Sequence, residues 1–398
     1  MVVKDRSANL SDVRKTNCKL IFEILDRNNG ITLSDLEQKA GLSRPTTVSM
    51  VRALEDARIV IPVGKKTSNG GRTPFLYGVN PDAFYAVGID FEFPISRIAV
   101  GDAKGGIKYS TEITFPPNLS HDKVMERLLQ QINEVIDNSG IEKSRLLGIG
   151  MGMPGYINIK SGMSLHFERI AGWKNIEIGR YISEHIGIPV YMENDVHLLF
   201  RAERELWNLD NDQDALFIAI RSGIGMAIFQ RGHIIEGEYG NAGHIGHTVI
   251  QAGGPRCKCG NRGCLELYAS ETAIDRNYET LTGQRNVPVT EIVQRANGGE
   301  TEAKTVLSEA GHYLGIGIGN AVNLFDINTV IVSSYFDNTF ILEGAQQELD
   351  QCINLTRESK ARIYPSRLTS EKYTLGGCKL VFQRSQQKIL ENVQLKNI

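Results

Sequence analysis

The chain lacks any run of about 18 consecutive apolar residues, so none of its helices is expected to span a bilayer. Its opening residues are polar and charged, Lys4, Asp5 and Arg6 among them, without the apolar stretch of a secretion signal. Cysteine is scarce, six in 398 residues, and three of the six fall within eight positions. That distribution excludes a disulfide-stapled secreted scaffold and suits a cytoplasmic compartment where thiols bind metal. Cys18, Cys352 and Cys378 fall in amphipathic stretches and read as small buried apolar groups. A large charge excess is missing too: the formal net charge is −2. The balance is uneven along the chain, because residues 1–80 hold 13 Lys and Arg against 8 Asp and Glu, or +5, and the remainder carries −7. Contact with a polyanion is therefore expected of the first part alone, and the basic tail at 388–396 is too sparse for a second nucleic-acid site. The apolar and charged fractions, 41% and 23%, are those of a globular protein, and the length implies two or three domains.

What is present is concentrated in residues 247–264. His247, Cys257, Cys259 and Cys264 offer one imidazole and three thiolates, a complete tetrahedral set for Zn2+ with no position left for a catalytic water. Gly253, Gly254, Gly260 and Gly263 allow a short loop to fold tightly around one ion. A closed site of this kind builds structure. Glu266 follows at once and Glu236 lies upstream, which places the loop beside a candidate ligand pocket.

Periodicity predicts three helices in the first 80 residues. The first spans about 13–27, with Leu20, Ile21, Ile24 and Leu25 on one face. The second starts at a Thr32 cap and stops at Gly41. The third opens at a Ser43 cap with Pro45 in its first turn and runs to about residue 57. Val48, Val51 and Leu54 are read as its inward stripe, and Arg44, Thr46, Thr47, Ser49 and Arg52 as the outward, DNA-facing residues. Short strands at 59–64 and 74–77 flank a polar loop from Lys65 to Arg72, a wing whose Arg72 could reach phosphates or the minor groove. Residues 1–80 thus read as a winged helix-turn-helix with the third helix entering the major groove. The bland alternative is a three-helix protein-interaction module with a solvated loop.

From residue 84 onward strands and helices alternate as an α/β body with two lobes, the first over about 81–195 and the second over about 196–380. Ligands of such proteins bind at strand ends, in the cleft between lobes.

The metal loop and the run Glu193-Asn194-Asp195 resemble the ROK family of repressors and sugar kinases, and the resemblance covers essentially the whole chain. It implies an actin-like ATPase (ribonuclease H-like) fold over 81–398, a structural Zn2+, a sugar pocket, and a homodimer or homotetramer. Members that carry a winged helix-turn-helix in front are sugar-responsive transcription regulators. On the sugar side Asn194 and Asp195 match the hydroxyl-binding pair, Asp195 being the general base of the kinases, and Glu266 and His247 match further pocket positions. Two positions depart from the family pattern: His244 stands where a carboxylate is usual and Arg169 where an amide is usual. Both shift the pocket toward positive charge, and an anionic sugar would find a partner in Arg169; the competing expectation is that Arg169 pairs with Glu168 or another acid at the rim while His244 merely reshapes a neutral-sugar site.

On the nucleotide side the glycine-rich phosphate loop is replaced by Asp90-Phe91-Glu92-Phe93-Pro94, and the second one reads Arg221-Ser222-Gly223-Ile224-Gly225. Phe and Pro keep backbone amides away from a phosphate, and Glu92 repels one. The expected function is therefore a DNA-binding repressor of carbohydrate genes, held on an inverted-repeat operator and controlled by a bound sugar, with no enzymatic activity. The alternatives are a sugar kinase with residual phosphotransfer and a protein-recruiting factor with a vestigial pocket.

Overall fold

The computed structural model describes residues 10–67, 73–352, 360–391 and 393. Helices α1 (Leu10–Arg27), α2 (Leu33–Ala40) and α3 (Arg44–Asp56) precede an antiparallel pair, β1 (Val60–Lys65) and β2 (Phe75–Val79). Helix α2 is capped by Thr32, whose Oγ1 accepts from the Asp35 amide, and ends at Gly41 in the left-handed conformation. Ser43 caps α3 in the same way through the Thr46 amide.

The facing of α3 differs from the sequence expectation. Thr47, expected outward, is fully buried, and the inward stripe is Thr47, Met50, Val51 and Leu54, with Val48 only half-buried. Those four sit at i, i+3, i+4 and i+7, a single helical face. Thr47 can join it because its hydroxyl donates to the Ser43 carbonyl at 3.2 Å, one turn back, so only its methyl is left to pack.

Two further sheets form the body. The first has the order β10-β6-β3-β4-β5, from β3 (Tyr85–Asp90), β4 (Ile95–Asp102), β5 (Ile107–Thr114), β6 (Leu146–Met153) and β10 (Val190–Asn194). Helices α4 (His121–Asn138) and α5 (Ile178–Ile186) share one apolar core with this sheet, and a small sheet of β7 (Tyr156–Asn158), β8 (Met163–His166) and β9 (Lys174–Ile176) hangs at its edge. Helix α6 (Asp195–Trp207) leads into the second sheet, ordered β13-β12-β11-β14-β15. Its strands are β11 (Ala215–Ile220), β12 (Ile224–Gln230), β13 (His233–Ile234), β14 (Thr329–Ser333) and β15 (Arg362–Pro365). Helices α7 (Glu266–Ala269), α8 (Glu271–Thr282), α9 (Val289–Asn297), α10 (Thr301–Phe325) and α11 (Thr339–Cys352) cover it. The last helix, α12 (Leu375–Glu391), returns to the first sheet and packs on β3, β6 and α6.

The buried strands β3, β6 and β11 are continuous apolar runs, as parallel sheets covered on both faces require. Strand β5 is largely exposed, with Ile113 its one buried residue. Among the described residues no helix is long and apolar enough to cross a membrane.

Candidate functional site

The ends of β10, β11 and β12 open on a cavity of about 510 Å³ between the two main sheets, and the wall includes Asn194, Asp195, Arg169, His244, His247 and Glu266. All six pocket residues expected from the sequence therefore meet at one cavity. Asn194 ends β10 and caps α6, its Oδ1 accepting from the amides of Val196 and His197. Asp195 follows at the first helical position, buried. Gly243 brings His244 into place: a side chain there would meet the Met226 carbonyl at 1.8 Å, and the backbone adopts φ +94°.

His244 Nε2 is buried without a hydrogen-bond partner among the described residues, and burial followed by the nearby His247 lowers its pKa to about 4, leaving the imidazole neutral. Tyr156, not anticipated from the sequence, lies 4.6 Å from the His244 ring and stacks on the His247 ring at 6.3 Å. Arg169 is exposed on the wall, and the expected pairing with Glu168 is absent: Glu168 faces Lys258 at 3.3 Å and His166 at 3.9 Å instead. Trp173 is packed beside Phe91 with its indole N–H on Ser164 Oγ, so it is a core residue.

The dominant electrostatic feature of the cleft is a buried charge cluster centred on Arg221. Arg221, at the end of β11, crosses the cleft and donates to both oxygens of Asp90 at 2.9 and 3.0 Å and to Glu92 at 3.0 Å. Its Nη1 is also 3.6 Å from Asp195 Oδ2. Burial alone would push this guanidinium toward neutrality; Asp90, Glu92 and Asp195 hold it charged. Burial raises Glu92 above the usual carboxylate range and lifts Asp195 to about 7, against the opposing pull of Arg221. Tyr373 lies against the cluster, its ring 5.3 Å from the guanidinium carbons of both Arg97 and Arg221. The sequence signal was a cation, Arg221, in one loop and an added acid, Glu92, in the loop facing it.

At the far wall His247, Cys257, Cys259 and Cys264 converge, their ligand atoms all within 4.8 Å of one another. Cys259 and Cys264 sulfurs are 3.6 Å apart, and Cys257 Sγ is 3.8 Å from His247 Nδ1. Three thiols and an imidazole so arranged could hold a metal ion. Gly263 makes the fold-back possible, since a side chain there would collide with the Gln251 carbonyl. Glu266 Oε1 accepts from Cys257 Sγ at 2.9 Å and lies 3.4 Å from His247 Nδ1, so the Cys/His cluster and the cavity share a wall.

In the first 80 residues, Arg44 and Arg52 are exposed on α3, Thr46 and Ser49 are half-buried, and Arg44 pairs with Glu37 at 3.2 Å. Thr47 does not belong to this face. Arg72 lies outside the described residues.

The profile of the ROK family matches residues 86–383, about three quarters of the chain. The chain belongs to the ROK family. Among its ROK relatives is the xylose repressor of Bacillus subtilis, 28% identical over 371 residues, covering 93% of this chain and 95% of that one. The N-acetylglucosamine repressor of Escherichia coli is 25% identical over 337 residues, 82% of each chain. In three dimensions, a ROK family transcriptional regulator described as a homologue of the E. coli Mlc protein superposes over 96% of this chain and 100% of its own, with a TM-score of 0.79 and 23% identity. A ROK glucokinase from Streptomyces griseus, solved with glucose and AMPPNP, superposes over 75% of this chain and 99% of its own, with a TM-score of 0.67 and 21% identity. The kinase thus matches three quarters of the chain, while the regulator matches nearly all of it.

Proposed function

We propose that the protein is a DNA-binding repressor of carbohydrate-utilisation genes whose operator affinity is set by a sugar or sugar derivative in the interlobe cavity. The observation that carries this reading is Arg221, whose guanidinium fills the space between Asp90, Glu92 and Asp195. The resemblance places the phosphates of a nucleotide in that corner of a ROK kinase. With a guanidinium and three carboxylates engaged there, no cradle of backbone amides is offered to a phosphate, and phosphotransfer is not expected. The names of the relatives, xylose repressor and N-acetylglucosamine repressor, point the same way.

In this reading Asn194, Asp195 and Glu266 bind sugar hydroxyls, with His244, His247 and Arg169 shaping the remaining wall. The Asn194 amide nitrogen is free to donate while its oxygen caps α6. The four-residue Cys/His cluster holds one structural Zn2+, which fixes the loop bearing Glu266. A symmetric dimer presents two α3 helices to an inverted repeat through Arg44, Thr46, Ser49 and Arg52, with Arg72 on the wing.

The test is selection of bound fragments from genomic DNA by the full chain, then mobility shifts on the selected fragment with D-xylose, N-acetylglucosamine and their phosphates. Recovery of an inverted repeat whose affinity changes with one of these sugars supports the reading. Binding of no fragment, or an ADP-release assay showing sugar-dependent ATP turnover at ordinary kinase rates, overturns it.

A further inference from the structure

Helix α12 touches both ends of the regulatory problem. At its start the Tyr373 ring is held between Arg97 and Arg221, and both guanidiniums also bind Asp90. The next turn is fixed by backbone contacts that leave no room for side chains. A methyl on Gly88 would meet the Thr374 carbonyl at 2.0 Å, one on Gly150 the Gly377 carbonyl at 2.0 Å, and one on Gly376 the Leu198 carbonyl at 1.8 Å. The helix start is thereby locked to β3, β6 and α6. Midway, Lys379 pairs with Glu205 at 3.4 Å and Phe382 meets Phe84 edge-on at 5.0 Å.

Its far end belongs to a different core. Ile389, and Val393 just beyond the helix, are buried in the same apolar cluster as Cys18, Ile21, Phe22 and Leu25 of α1. Gln386 also donates to Glu23 at 3.3 Å. Seventeen residues of helix span roughly 25 Å. Tightly packed elements move as bodies rather than deform. The first lobe also meets this core directly, through Phe84 and Ala103 at the ends of β3 and β4 away from the cleft and through Lys104 Nζ, which donates to the Asp26 carbonyl at 2.9 Å.

We propose that α12 is the strut that carries the state of the cleft to the N-terminal helices, with Tyr373 as the positioning residue that registers Arg221. The proposal rests on the regulatory reading above and adds the route by which the regulation travels. A ligand that draws Asp195 away from Arg221 shifts the guanidinium, the stacked ring follows, and the helix displaces the α1 core it helps to form.

Hydrogen exchange on the full-length chain tests this without DNA or effector, so its failure is separable from failure of the repressor assignment. Tyr373→Leu keeps apolar bulk and removes the cation–π contact. At least a tenfold faster exchange is expected in residues 383–391 and in α1, with α10 unchanged, and Tyr373→Phe should exchange like the wild type. Faster exchange confined to the cleft loops at 90–97 and 221–225, or a uniform rise that includes α10, overturns the proposal.

Discussion

Replacing Arg221 by methionine preserves most of the side-chain volume but leaves Asp90, Glu92 and Asp195 facing a neutral thioether. Asp90 is 1% exposed and the Arg221 side chain 12%, so solvent cannot substitute for the missing guanidinium. Removing one partner of a buried ion pair costs about 3–5 kcal/mol. Here the lower end applies, because Glu92 and Asp195 already have raised pKa values and will take up protons rather than remain bare. A loss of about 3 kcal/mol at pH 8 corresponds to roughly 6–12 °C in melting temperature for a unit of lobe size. The pH dependence has a definite sign. In the unfolded chain carboxylates titrate near pH 4, whereas burial raises Glu92 and Asp195 in the folded protein, and removing the Arg221 charge that opposes this raises both further. Stability is therefore present at low pH and lost as pH rises through the folded values, so the deficit against wild type should be large at pH 8 and small at pH 5. Differential scanning calorimetry at the two pH values measures it. A drop below about 2 °C at pH 8, or a larger drop at pH 5, refutes the claim that this cation is what makes the cluster tolerable.

The single carboxylate Asp195 gives a milder version of the same experiment. Its folded pKa of about 7 lies above the ordinary 3.8, so the native state holds an extra proton between those values and loses stability as pH rises across them. Asp195→Asn should therefore gain on wild type more at pH 8 than at pH 5, and equal shifts would show that burial does not dominate. For the metal cluster, plasma emission analysis of native protein is expected to find one Zn2+ per chain, and Cys257→Ser to lose it along with tryptic resistance at Arg256 and Lys258; zero or two ions per chain contradicts a single tetrahedral site. On α3, Arg52→Ala should weaken binding to a selected DNA fragment by about 1–3 kcal/mol if it reads a base. Thr47→Val, which keeps the buried methyl, should leave DNA affinity unchanged within twofold in a fluorescence anisotropy titration.

Much of this was legible in the sequence because local chemistry dictated it. The Thr32 and Ser43 caps bound the second and third helices to the residue, since a hydroxyl on an orphan amide is a short-range device. That His247, Cys257, Cys259 and Cys264 come together was readable from residue type and spacing, and the meeting of Asn194, Asp195, His244, His247, Glu266 and Arg169 at one cavity from their resemblance to family motifs. What escaped depended on distant segments or on helix phase. Residue type alone puts Thr47 on the outward face, but a threonine that bonds its own helix backbone is apolar to its surroundings. Arg221 was read only as a lost glycine, because its partners Asp90 and Glu92 lie about 130 positions earlier. The role of α12 was hidden for the same reason: nothing in residues 375–391 names the helices at the other end of the chain.

That shared core has a consequence for synthesis. The apolar face of α1 is completed by Ile389, which leaves the ribosome 310 residues after Val79 closes the wing. At about 5–20 residues per second the interval is roughly 15–60 s. During it Ile21, Phe22 and Leu25 lack their final cover, so the nascent protein should reach a competent reader only when translation of its last helix is done. Ribosome-stalled chains ending near residue 370 would expose that delay as weak, chaperone-dependent DNA retention.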